Sequence, residues 1–213
     1  MLDERLAFPP AEAADPEGLV AVGGDLSVGR LVLAYRSGIF PWPMPGGPLP
    51  WCSPDPRCVL FPAEVRVPRC VKPLLNRRAF EVTWNRAFRE VIAACRTQKR
   101  PGQSGTWIRR DMLEAYCRLH EAGHAHSLEL WQGGRLVGGL YGVRSGPVFS
   151  GESAFHRVPN AAKVAIVLLA QSAGAQGIGL IDCQMRTPLL ESLGARFIPR
   201  AEFLRRLRRD PPA

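Results

Sequence analysis

The segment LIDCQ, residues 180–184, sets a carboxylate and an amide two positions apart. On a strand, a period of two puts Asp182 and Gln184 on one face and Cys183 on the other. Such a pair offers hydrogen-bond acceptors to a reacting group. On these residues alone, a polar pair capping a strand end is the plainer reading. Glu152 lies in GES, read as a turn between a strand and the following helix. Its apolar and basic neighbourhood suits a carboxylate that pairs with a cation, and equally one that caps the helix. Trp42 in FPW and Trp107 in GTW stand beside Pro or Gly rather than inside periodic elements. Rings placed so can stack on bases, or plug a junction between domains. His120, His124 and His126 look like a metal cluster, but no further Cys/His pair closes a site, so a structural role is the better reading. GGDLSVG has the glycines of a phosphate loop without the lysine of a P-loop or the full dinucleotide fingerprint. It reads as a turn entering a helix.

Bulk properties bound what these residues can belong to. A chain of 213 residues, 46% hydrophobic, can bury a sizeable core as one or two globular domains. The longest apolar run, Val164–Ala170, is far short of the ~20 residues a bilayer requires. The N-terminus, MLDERLAFPP, lacks the basic-then-apolar order of a secretory signal, so a cytoplasmic location is expected. None of the 6 cysteines forms C-x-x-C, and free, mostly buried thiols are expected. The net charge of +9 makes a polyanionic partner plausible. It gathers at Arg66, Arg69, Lys72, Arg77 and Arg78, at Arg86, Arg89, Arg96, Lys99 and Arg100, and at Arg196, Arg200, Arg205, Arg206, Arg208 and Arg209. Each cluster taken singly reads as a solvated face.

Residues 1–62 are rich in Gly and Pro, with one clear helix from Val28 to Ser37, capped by Ser27 and stopped by Gly38. This predicts a small, loop-rich N-terminal α+β domain over 1–62, followed by a second domain over 63–213. There, Phe80–Trp84 reads as a strand, and Asn85 caps a helix carrying Phe88, Val91, Ile92 and Cys95 at i, i+3, i+4 and i+7. A second helix over Arg110–Ala122 ends at Gly123. Ser127–Gln132, Arg135–Val143 and Val148–Ser150 read as an antiparallel meander turning at Gly133-Gly134 and Ser145-Gly146. Asn160 opens an apolar helix to about Ala175, Gly179–Gln184 is a short strand, and the basic C-terminus is helix-like. The order strand, two helices, three strands, helix, strand resembles the GNAT acyltransferase fold, an α+β architecture with a splayed sheet. Ordinary acetyl-CoA enzymes of that fold hold pyrophosphate on a basic, Gly-rich turn after the fourth strand. GESAFHRVPNAAK has no such turn, which argues against acetyl-CoA as the acyl donor.

Several segments in order resemble the leucyl/phenylalanyl-tRNA–protein transferase family: GLVAVGGDLS, YRSGIFPW, WCSPDPR, GTWIRR, LHEAGHAHSLE, GGLYGV, FSGESAF, LIDCQ and SLGARFIPR. The resemblance runs from about Gly18 to Arg200. It implies transfer of Leu, Phe or Met from aminoacyl-tRNA to proteins with N-terminal Arg or Lys, marking them for degradation, by a cytoplasmic monomer with no membrane partner and no cofactor. An aminoacyl ester is already activated, so holding a neutral amine against the carbonyl and stabilising the oxyanion is most of the task. By resemblance, Gln184 accepts a hydrogen bond from the attacking amine through its amide oxygen, and Asp182 orients or polarises that amide. Glu152 pairs with the acceptor's cationic N-terminal residue. Leu140, Phe149 and Ile181 line the pocket for the donor side chain, although ordinary core explains each singly. Trp42 and Trp107 stack on the terminal adenosine, a contact worth about 1–3 kcal/mol per base. Three positions depart from the family pattern: Leu189 stands for the usual His, Ala162 for Ser and Leu169 for a frequent Phe. An acyl-CoA N-acyltransferase, which the inferred fold favours, and a non-catalytic RNA-binding protein, which the charge favours, are the rival readings.

Overall fold

The computed structural model describes residues 1–3, 5–43, 47–99 and 106–208. The N-terminal part holds strand β1 (Leu19–Val22), helix α1 (Val28–Arg36), and strands β2 (Phe40–Pro41) and β3 (Pro50–Cys52). The three strands pair in the order β1-β3-β2. Ser27 caps α1 by accepting the Arg30 N–H, and Gly38, at φ 75°, reverses the chain beyond it. The next strand, β4 (Arg57–Leu60), precedes the boundary expected at residue 62 but pairs in a second, larger sheet.

Along the rest of the chain lie helix α2 (Lys72–Asn76), β5 (Glu81–Trp84), α3 (Phe88–Thr97), α4 (Arg110–Glu121), β6 (Ala125–Gln132), β7 (Arg135–Ser145), β8 (Val148–His156), α5 (Ala161–Ser172), β9 (Leu180–Gln184), α6 (Pro188–Ser192), β10 (Arg196–Ile198) and α7 (Arg200–Leu207). The seven strands of the larger sheet run β10-β4-β9-β8-β7-β6-β5. β8 and β9, joined through α5, are parallel, and every other pair is antiparallel. Parallel neighbours need a crossover element, here α5. α3 and α4 cover one face with the apolar stripe that their spacing dictates, and α1 joins them. α5, apolar nearly all round, covers the other face. The architecture is α+β, with a GNAT-like arrangement of strand, two helices, meander, helix and strand.

Two expectations are corrected. Asn85 does not cap α3: it adopts φ 58°, and its Oδ1 accepts the Ser127 N–H at 3.0 Å, tying β5 to β6. Asn tolerates this left-handed conformation better than most residues. The third meander strand does not stop at Ser150 but continues to His156, because β7 is long enough to pair as far as Gly138↔His156. The GES triplet, turn-like in composition, is therefore inside a strand.

The parallel pairing of β8 and β9 covers only Val148↔Leu180, Phe149↔Ile181 and Ser150↔Asp182. Beyond it β8 continues on β7 while β9 stays with β4, so the sheet splays open at Gly151. Gly142, beside the opening, leaves no room for a side chain: a Cβ there would lie 2.3 Å from the Ser150 carbonyl oxygen and 2.5 Å from Phe149 Cε1. Overpacking of this kind costs about 1–3 kcal/mol, so Gly142→Ala should lower the urea midpoint by a corresponding amount. An unchanged midpoint would mean that β8 yields freely there.

Candidate active site

Two irregularities of the sheet converge where β8 and β9 part. Tyr141 and Gly142 are consecutive on β7, yet they face Ser153 and Gly151 on β8, so Glu152 is an extra, unpaired residue. Cys58 and Val59 on β4 likewise face Gln184 and Asp182, leaving Cys183 as the extra residue of β9. A bulge bends its strand and re-aims side chains. Glu152 is thus delivered to the site from within a strand, not from the turn or helix cap its sequence context suggests. Gln184 closes β9 at φ 58°.

The polar contacts form two connected sets. The Glu152 carboxylate accepts the Gln184 side-chain N–H through Oε1 at 2.6 Å and the Tyr116 hydroxyl through Oε2 at 3.2 Å. Tyr116 in turn bonds the Tyr35 hydroxyl. The Asp182 carboxylate accepts Arg57 Nε at 2.8 Å, Arg57 Nη2 at 2.7 Å, the Ser150 hydroxyl at 3.1 Å and the Gln184 backbone N–H at 3.0 Å. Asp182 therefore meets Gln184 at its backbone, and it is Glu152 that grips the side-chain amide. The ionised carboxylate only accepts, and the Gln184 amide accordingly turns its nitrogen to Glu152. The amide oxygen of Gln184 takes no hydrogen bond among the described residues.

These groups border a cavity of about 310 Å³ lined by Leu140, Ile166, Leu169, Ile181, Leu189 and Leu190, with Glu152, Asp182, Cys183 and Gln184 on its polar side. Trp42 and Trp107 also line it, their rings stacked 6.2 Å apart at 15°. Of the expected residues, Trp42, Trp107, Leu140, Glu152, Ile181, Asp182 and Gln184 come together here. Phe149 does not line this cavity: it sits on β8 in register with Ile181 of β9, 1% exposed, and borders a separate cavity of about 260 Å³ with Trp84, His126 and Arg144. Leu169 and Leu189, two of the departures from the family pattern, are lining residues, whereas Ala162 is not among them. Sequence reasoning does not single out Arg57, Ser150, Tyr35 or Tyr116. Arg57 carries a signal, as a lone cation in the otherwise apolar run RCVLF. Tyr116 carries none beyond a place on the buried face of α4.

Burial dominates the electrostatics. It pushes the Glu152 carboxyl up to about 7 against hydrogen bonds that favour its charged form. Burial first, and then the charge of Glu152, push Tyr35 and Tyr116 well above the ordinary phenol range, so both remain neutral donors. His120 is used structurally, stacked 4.3 Å from Phe88 with Nδ1 at 2.7 Å from the Ala125 carbonyl oxygen.

A GNAT-like fold whose sheet opens onto an apolar cavity, with a carboxylate-held amide at its polar side, has the make-up of an acyltransferase. The family described as leucyl/phenylalanyl-tRNA protein transferase matches residues 59–208, and its N-terminal domain matches residues 24–55. The chain belongs to this family and is a tRNA-dependent aminoacyltransferase acting on proteins. It is 57% identical to the leucyl/phenylalanyl-tRNA–protein transferase of Thiobacillus denitrificans over 94% of this chain and 88% of that one. It is 53% identical to that of Methylococcus capsulatus, over 94% and 86% of the two chains. Among solved structures, a ribosomal-protein-alanine N-acetyltransferase from Brucella melitensis is similar at 19% identity and a TM-score of 0.36, covering 52% of this chain and 83% of that one. So distant a likeness adds nothing to the argument.

The raised Glu152 carboxyl makes stability depend on pH. Below 4.5, its ordinary value, folded and unfolded chains both hold the proton; between 4.5 and about 7 the unfolded chain releases it to water while the folded chain keeps it, so stability falls across that window and levels off above it. The stability so lost is at most about 3 kcal/mol. Glu152→Gln keeps an acceptor for the Gln184 amide and has no proton to lose. Denaturation midpoints across that range should therefore fall for the natural chain relative to the variant. Parallel pH profiles would show that Glu152 titrates normally.

Proposed function

We propose that this enzyme transfers Leu, Phe or Met from aminoacyl-tRNA to the N-terminal Arg or Lys of acceptor proteins, marking them for degradation. The observation that carries the reading is the Gln184 amide, fixed by Glu152 beside an apolar cavity with its oxygen left without a partner among the described residues. In this reading the donor's apolar side chain occupies the space lined by Leu140, Ile166, Leu169 and Ile181. The stacked Trp42 and Trp107 receive the terminal adenosine. The acceptor's neutral α-amine gives a hydrogen bond to Gln184 Oε1, which aims its lone pair at the ester carbonyl carbon. The N–C bond forms, the C–O bond to the terminal ribose breaks, and the proton lost by the amine ends on the departing ribose oxygen. Asp182 is a positioning residue that holds the backbone of Gln184 through its N–H. The acceptor's guanidinium or ammonium pairs with Glu152 and draws that carboxyl to its ionised form. Charged tRNA is a cytoplasmic substrate, so the reading puts the enzyme in the cytoplasm.

The basic clusters divide along the same lines. Arg196, Arg206 and Arg208 pair with Glu64, Glu202 and Glu12, and Arg200 donates to the Ser53 carbonyl at 2.7 Å, so this cluster serves the fold. Arg86 and Arg89 pair with Glu81 and Glu114. Arg69, Lys72, Arg77 and Arg78 make no side-chain ion pair or hydrogen bond among the described residues. They supply the phosphate contacts in this reading. Arg100 and Arg209 lie outside the described residues.

Transfer of labelled Leu or Phe should reach a peptide beginning with Arg and spare one beginning with Ala. Gln184→Ala should reduce that transfer by about 10²-fold, the lower range for removing a proton-accepting group, with tRNA binding and thermal midpoint retained. Equal labelling of both peptides would remove the acceptor rule, and full activity in the variant would remove Gln184 from the reaction. The affinity for tRNA should fall steeply with salt, and the double variant R77A/R78A should flatten the log–log slope by about 1–2, near one unit for each phosphate that is no longer neutralised. An unaltered slope would place the phosphates elsewhere.

A further inference from the structure

The bulge that shapes the end of β9 brings two thiols together on the catalytic strand. Cys183, the extra residue between Asp182 and Gln184, is half-buried and lines the cavity. Within β9 its thiol makes only a long approach, 3.9 Å from Sγ to the Ile181 carbonyl oxygen. Cys58 stands across the ladder on β4, opposite Gln184, next in sequence to Arg57 and 1% exposed. Because two residues of a bulged strand oppose one on the partner strand, Cys183 and Gln184 both stand across from Cys58, at the strand spacing within which a disulfide can close. The thiols therefore flank both the Arg57–Asp182 pair and Gln184, one from each strand. Neither has a part in the transfer reaction as derived above, and neither is in a disulfide.

We propose that Cys58 and Cys183 form an oxidative modification site, in which a hydroperoxide reaching the donor cavity joins them as a cross-strand disulfide and reversibly stops transfer. The chemistry balances in two steps. Cys183 Sγ takes an oxygen from the hydroperoxide, giving a sulfenic acid and the corresponding alcohol or water. Cys58 Sγ then attacks Cys183 Sγ, the S–S bond forms, the S–O bond breaks, and the hydroxyl leaves as water with the remaining thiol proton. The neighbouring thiols shift in opposite directions, Cys58 below its ordinary range and Cys183 well above it, so Cys58 is the better attacker in the second step, and the slower first step falls to Cys183 because it lines the cavity and Cys58 does not. Closing the bond draws the bulged residue toward β4. Gln184 follows it in the chain and is held at φ 58° by a backbone hydrogen bond to Asp182, so its amide is displaced from Glu152.

The loss of transfer rests on the role proposed for Gln184, whereas the cross-link does not. The test treats the full chain, in a Cys70→Ser background that removes the exposed thiol, with hydrogen peroxide, then maps its peptides and assays transfer. The expected result is a peptide containing Cys58 joined to Cys183, a loss of transfer of about 10- to 100-fold, as displacement of a positioning group costs, and recovery with dithiothreitol. Cys58→Ala should keep its basal transfer and resist the treatment. Absence of the cross-link from the map would overturn the proposal. So would a cross-linked protein that transfers at full rate, or a Cys58→Ala variant inactivated equally fast. Full transfer by Gln184→Ala would sink the role of Gln184 in the reaction, while a missing cross-link would sink this site whatever that variant does.

Discussion

Arg57 is 1% exposed, and its charge is tolerable in the interior only because Asp182 meets it with both carboxylate oxygens. The pair joins β4 to β9, the second and third strands from the β10 edge of the sheet. The guanidinium is also held between the rings of Phe40 and Phe203, at 4.6 and 4.5 Å from their centroids, and donates to the Gly38 carbonyl at 3.3 Å. One side chain thereby ties the N-terminal sheet, the C-terminal helix and strand β9. Taking away one partner of such a buried pair costs about 3–5 kcal/mol, because the other charge is left without compensation. The remaining acceptor capacity of Asp182 goes to Ser150 and the Gln184 backbone, so the site inherits its geometry from the same bond.

The second constraint is the burial of Glu152. A carboxyl in this environment is poised near neutrality and keeps its charged form only through the hydrogen bonds it receives. The Tyr35–Tyr116 string, anchored on α1 and α4, supports it from one side, and the Gln184 amide supports it from the other. A cation arriving in the cavity would find the carboxylate it needs already oriented. In the proposed reaction, the apolar lining excludes water from the space where the ester meets the amine.

Much of the scaffold is legible because its signals are local. The meander follows from Gly133-Gly134 and Ser145-Gly146, and α3 and α4 follow from the spacing of their apolar residues. The placement of Asp182 and Gln184 on a strand follows from the short apolar segment around them. Strands β1 to β3 and β10 escape a reading of the sequence because they are only two to four residues long and carry Pro or Gly at their margins. Glu152 stands out as a site residue, but its sequence context places it in a turn, since Gly, Glu and Ser are turn-like in composition and a bulge has the same composition. Phe149 neighbours Ile181, which suggests a place in the pocket, but residues opposite each other on paired strands need not face the same cavity.

Sequence alone determined the family, the α+β order of elements and the apolar faces that make the core, and it offered Asp182, Gln184, Glu152, Trp42 and Trp107 as candidate site residues. The elements and their apolar faces rest on residue types and on periodicities that act over a few residues, whereas the family and the candidate site residues rest on the resemblance of ordered segments along the chain. Only the tertiary structure decided that Asp182 is committed to Arg57, 125 positions away in the chain. It likewise decided that Glu152, and not Asp182, grips the Gln184 amide, and that two tyrosines from separate helices stand behind that carboxylate. Ladder register, bulges and burial set those partnerships, and all three depend on segments far apart in the chain packing against one another.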